Sequence, residues 1–172
     1  MILVYFKEGS QQKEIVENVL SDLQEEFKEV GDNHLDLVIS KVFSSEEKPV
    51  SNKLYEDFLF LDTMRQDKIQ LFAKLLKEKG IRLGRVAVRT ENNISWKLKD
   101  LMDEVEEEFQ YFLLRDKLFE IVTHPDKERL DTDPEYLKQM SLVYAMLEDS
   151  NTKIDDLKAA YILLTKTERT SM

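Results

Sequence analysis

The chain opens on six apolar residues, Met1-Ile2-Leu3-Val4-Tyr5-Phe6. They hardly alternate, which suits a strand buried on both faces. Gly9-Ser10 ends the run. Ser10 is placed to cap a helix on which Ile15, Val19, Leu20, Leu23 and Phe27 recur at helical spacing, with Gly31 as its stop. Leu35 to Phe43 (LDLVISKVF) is β-branched and apolar and predicts a second strand. Residues 44–52, rich in Ser and Glu and containing Pro49, read as a loop. Phe58-Leu59-Phe60-Leu61 predicts a third strand that ends at Asp62-Thr63. Ile69, Phe72, Ala73, Leu75 and Leu76 mark a second helix closed by Gly80. Arg85 to Thr90 predicts a fourth strand.

Strand, helix, strand is thus read twice. Such units give parallel strands with right-handed crossovers. The expected fold is α/β: a small four-stranded, mainly parallel sheet flanked by helices, with a helical C-terminal extension. The joint from Phe43 to Phe58 is short for a helical crossover, so a ferredoxin-like βαββαβ arrangement with strands two and three antiparallel is the alternative. From Ser95 the period becomes helical, from Trp96 through Leu101, Val105, Phe112 and Phe119 to Val122. His124-Pro125 breaks this long helix. Asp133-Pro134 opens another, with aspartate as cap and proline in the first turn. The division expected is an α/β domain over 1–123 and a helical hairpin over 124–172. The hairpin's apolar stripes need cover, from the domain or from a second copy.

Composition narrows the setting. Hydrophobic residues are 42% and charged residues 35%, which is globular rather than disordered. Cysteine is absent, so thiolate ligands, cysteine nucleophiles and disulfides are excluded. The apolar start lacks a basic flank and a cleavage site, and no apolar run approaches the ~20 residues that span a bilayer. A cytoplasmic address is expected by elimination. A net charge of −10 repels phosphate backbones and anionic membranes. Arg82, Arg85 and Arg89 form only a thin basic patch with no stacking aromatics interleaved, so neither nucleic acid nor membrane is expected as a partner.

Candidate chemistry is sparse. The four glycines never cluster as a phosphate loop requires. Lys7-Glu8-Gly9-Ser10 reads as a turn and cap. The two histidines, His34 and His124, stand alone, and the acidic run from Asp103 to Glu108 reads as a solvated helix face, so no metal site, cofactor or catalytic residue is expected. His124-Pro125-Asp126 resembles the J-domain co-chaperone motif, but the helix before it is acidic where that family's is basic. Asp62 and Thr90, each ending a strand, resemble the phosphoacceptor and hydroxyl of receiver domains, but the acidic pair that would hold Mg²⁺ is missing.

A third resemblance rests on more residues. Phe60-Leu61-Asp62, a helix, Val86-Ala87-Val88-Arg89-Thr90, and then Thr90-x-x-Asn93-x-x-Trp96-x-Leu98-x-x-Leu101 resemble the bacterial family called domain of unknown function 3783. The resemblance covers about a third of the chain. It implies an α/β fold and a cytoplasmic bacterial protein, and it implies no activity. Asp62, Thr90, Asn93 and Trp96 are the ligand-binding candidates, at the carboxyl edge where α/β sheets bind small molecules. The functional expectation is a non-catalytic binding or protein-interaction module that self-associates. The alternative is a small-molecule or nucleotide-binding regulatory domain at that edge.

Overall fold

The computed structural model describes residues 1–170, with side chains through 166. It divides into two compact units, Met1–Glu106 and Glu107–Met172. The first holds the sheet. Its strands are β1 (Ile2–Tyr5), β2 (Phe27–Glu29), β3 (Phe58–Leu61) and β4 (Val86–Val88), in the order β2-β1-β3-β4. β1 pairs parallel with β2, β3 pairs parallel with β4, and the central β1–β3 pair is antiparallel. The sheet is therefore mixed. The short joint before Phe58 does reverse the chain, but β3 pairs with β1 and not with strand two, so the ferredoxin-like order is not formed.

β1 and β3 are buried at every position, as their unbroken apolar runs require. One face carries Ile2, Val4, Leu59 and Leu61 against α1 (Lys13–Asp22) and α3 (Gln66–Glu78). The other carries Leu3, Tyr5, Phe58, Phe60 and Ala87 against α2 (Ile39–Val42) and the start of α4 (Leu98–Thr123). The sheet is covered on both sides.

Three local expectations are corrected. Leu35–Phe43 is not a strand: it follows a 3₁₀ turn at Asp32–His34 and contains α2. Its buried residues, Leu35, Ile39 and Val42, are four and three apart, which is a helical period. Strand two is instead Phe27–Glu29, an edge strand with two charged residues, as edge strands tolerate. The first helix stops at Asp22, not near Val30. Gln24 takes a left-handed φ of 57°, and the Glu25 amide returns to the Leu20 carbonyl at 2.9 Å. That closure favours glycine, and a glutamine there gives no warning of it. Ser10 is not the cap of α1, whose first flanking residue is Gln12. Ser10 Oγ accepts from the Gln12 amide at 3.2 Å and donates to Asp57 at 2.6 Å.

The halves of this unit repeat one another. Each is strand, helix, parallel strand, 3₁₀ turn, helix. Gly31–Phe43 aligns without gaps on residues 90–102, placing His34 on Asn93, Leu37 on Trp96 and Ile39 on Leu98. The equivalent positions Val38 and Lys97 form an antiparallel bridge. The Ile39 amide donates to the Trp96 carbonyl and the Leu98 amide to the Leu37 carbonyl, both at 2.9 Å. Leu3 stands opposite its counterpart Phe60 in the central pair. These reciprocal bonds describe a pseudo-two-fold axis through the middle of the sheet.

The second unit is helical. The later part of α4 joins α5 (Lys127–Thr132), α6 (Pro134–Glu148) and α7 (Ile154–Thr170) around Leu118, Tyr136, Met140, Val143, Leu157 and Leu164. α6 starts as expected: Asp133 accepts from the Glu135 and Tyr136 amides, and Pro134 fills the first turn. No helix of the described residues is long and apolar enough to cross a membrane.

Candidate functional site

The antiparallel centre gives this sheet two carboxyl edges. β3 and β4 end at one, where Asp62, Thr90 and Asn93 lie. β1 and β2 end at the other.

At the first edge, Arg89 pairs with Asp62 at 2.9 Å and ties the ends of β3 and β4 together. Asn93 is buried. Its Oδ1 accepts from the Thr90 amide at 2.8 Å, its Nδ2 donates to the Val88 carbonyl at 3.0 Å, and its amide donates to Thr90 Oγ1 at 3.0 Å. These bonds close the turn from β4 into α4. Trp96 is half-buried against the core of the α2 face, and its carbonyl serves the bridge to α2. Asp62, Thr90 and Asn93 thus spend polar groups on the fold.

The repeat supplies a check. Gly31 and His34 sit where Thr90 and Asn93 sit. His34 is fully buried, and its Nδ1 accepts from the Gly31 amide at 3.0 Å, the counterpart of the Asn93 bond. The hydrogen must then lie on Nε2, which donates to the Glu47 carbonyl at 3.0 Å. A lock made by two different side chains at one position has its cause in the turn. Gly31 also cannot carry a side chain cheaply: a Cβ there would stand 2.6 Å from Asn52 Oδ1 and 2.9 Å from the Ser51 carbonyl.

At the second edge, residues 45–52 lie over the ends of β1 and β2. Asn52 Nδ2 donates to the Phe6 carbonyl at 2.8 Å and the Val30 carbonyl at 3.0 Å, joining the two strands. An open cleft of about 720 Å³ lies here, bordered by Lys7, Ser10, Lys13, Lys28, Glu29 and Lys48. Its charges are largely engaged. Lys7 pairs with Glu56, Lys13 bonds Glu29 at 3.1 Å, and Lys28 donates to the carbonyls of Val42 and Ser45.

Behind this cleft Glu17 of α1 faces Glu29 of β2. Burial first, then the bond and charge of Glu29, raises the Glu17 carboxyl to about 7. The bond from Glu17, and after it Lys13, holds Glu29 below the usual range. The pair shares a proton near neutral pH.

A third cluster sits beside β1. The Tyr5 hydroxyl donates to Asp32 at 2.6 Å, and Ser51 Oγ and the Lys53 amide donate to its other oxygen at 2.8 and 2.9 Å. Burial opposes ionisation of Asp32, yet these donors hold its pKa below the usual range. Burial, and then Asp32, pushes the Tyr5 phenol well up. Among the described residues no three carboxylates or histidines are grouped to hold a metal.

In the helical unit, Asp126 of the His-Pro-Asp tripeptide accepts from the Glu128 and Arg129 amides and so caps α5. Its surface is unusually apolar. Phe112, Phe119, Leu137, Leu142, Tyr144 and Ile162 are all exposed by about half. The sequence pointed to helical stripes seeking cover. It did not separate the stripe that the other helices bury from the one that stays outside.

Residues 57–112 match the model of the family described as domain of unknown function (DUF3783). The match begins at β3 and runs into α4, so it takes in the second of the two repeated halves. No curated protein and no solved structure matches the chain.

Proposed function

We propose, starting from residues 57–112 as a domain of the DUF3783 family, that this chain is a non-catalytic protein-interaction module that associates with itself. One observation carries the reading: most of the exposed large apolar side chains among the described residues lie on the helical unit, Phe119 at 55% and Phe112 at 52% exposure among them. Large apolar side chains clustered at a surface mark contact surfaces. The strand-end residues Asp62, Thr90 and Asn93 meanwhile serve internal bonds. A cytoplasmic setting belongs to the same proposal, since a cysteine-free acidic chain suits it. Co-expression of a tagged and an untagged copy tests the reading. Recovery of the untagged copy on the tag resin supports it, and recovery of the tagged copy alone refutes it.

A second reading is a small-molecule site, favoured by the lysine-bordered cleft at the ends of β1 and β2 rather than by the Asp62 edge. Thermal unfolding with nucleoside triphosphates at millimolar concentration tests it. A rise in Tm that Lys48→Ala abolishes supports it, and no rise removes this reading for nucleotides.

A further inference from the structure

The self-association reading leaves open which face meets which. The stripe on α4 answers it. Leu98, Val105, Phe112 and Phe119 recur every seven residues along this helix. The first two are buried in the core of the sheet unit. The second two belong to the helical unit and are exposed, while Leu118, one position from Phe119, is fully buried with α6 and α7. The later part of α4 therefore has one covered face and one bare apolar face.

The two residues midway between the phenylalanines are Arg115 and Asp116. Phe112 and Phe119 are spaced evenly about the midpoint of the Arg115–Asp116 peptide, and Arg115 and Asp116 stand on either side of it with opposite charge. A two-fold interface requires this: whatever contacts residue j of the second copy must itself be contacted by residue j. Asp116 makes no ion pair among the described residues. Arg115 spends one nitrogen on the Leu147 carbonyl and has further donors to offer. Beside Phe119 a hollow of about 420 Å³ opens between α4 and α6, bordered by Arg115, Asp116, Tyr144, Leu147 and Glu148. It has room for an aromatic ring.

We infer, resting on the self-association reading, that two copies pair antiparallel along α4 with the two-fold axis at the Arg115–Asp116 peptide. Phe112 of each copy lies against Phe119 of the other and enters the hollow beside Tyr144. Arg115 of each copy meets Asp116 of the other. A second copy is the occupant because the stripe is self-complementary in both shape and charge. At a net charge of −10 per copy, association needs such local opposite charges to offset overall repulsion.

The chain has no cysteine, so single cysteines report the register cleanly. Phe112→Cys and Phe119→Cys are mixed, oxidised and resolved without reductant. The inference expects a disulfide-linked dimer in the mixture, several-fold more than from either variant alone. Both positions are exposed, so the variants retain the fold, which circular dichroism checks. Phe112→Asp and Asp116→Arg in the full chain are expected to weaken association about tenfold or more. A wild-type dimer that Phe112→Asp leaves intact, or that Phe112→Cys cross-links as well alone as in the mixture, overturns this pairing and leaves self-association standing. A wild-type chain that stays monomeric at about 100 µM overturns both.

Discussion

Glu17 shows how much a single side chain can couple stability to pH. An unfolded chain ionises a glutamate near 4.5, whereas the folded chain holds Glu17 protonated to about 7. Between these values the folded state binds more protons, so stability falls as pH rises through that window. Glu29 is displaced the other way, so its contribution is lost only when the pH drops below the ordinary carboxylate range. Glu17→Gln keeps a donor toward Glu29 without the ionisable proton. It is expected to flatten the decline in urea midpoint between pH 5 and 8, and to stabilise the protein at pH 8 by on the order of 1 kcal/mol. An unchanged slope would place the cause elsewhere. Asn93 allows a second test. Its bonds to Thr90 and Val88 are internal, so Asn93→Ala should cost about 1–3 kcal/mol in chemical denaturation. Normal stability in that variant would return Asn93 to the ligand candidates.

At the scale of elements, legibility followed burial. β1 and β3, apolar on both faces, were readable because nothing in them invites another structure, and α3 was closed by Gly80 as expected. The helix openings at Asp133-Pro134 and the break at His124-Pro125 were readable from cap and proline chemistry. Asp133→Ala should lower stability by about 1 kcal/mol, seen as a lower Tm, since two amides lose their acceptor. The errors came where local preference and tertiary demand diverge. Leu35–Phe43 has the composition of a strand, but its buried positions follow a helical period. β2 carries Lys28 and Glu29 at the sheet edge and lacks a strand pattern. Asp62 and Thr90 were readable as neighbours because each follows the end of a strand, and Asn93 and Trp96 come in the turn after Thr90. The sequence did not show which backbone groups Asn93 bonds, nor that the antiparallel β1–β3 pair creates a second carboxyl edge with an open cleft of its own.

The whole molecule is an α/β unit built from two copies of one strand-helix-strand-turn-helix plan, and a helical unit that buries one face of α4 and leaves another bare. The family match falls on the second copy, which has its sheet partner within the same chain. The two halves pair with one another inside the sheet, while Phe112 and Phe119 stay exposed. The most direct test is the solution mass of the full chain by sedimentation equilibrium at about 100 µM, beside the double variant Phe112→Asp/Phe119→Asp. The account predicts about twice the 20.3 kDa chain mass for the wild type and the single-chain mass for the variant. Equal masses for the two proteins, whether both single or both double, would contradict it.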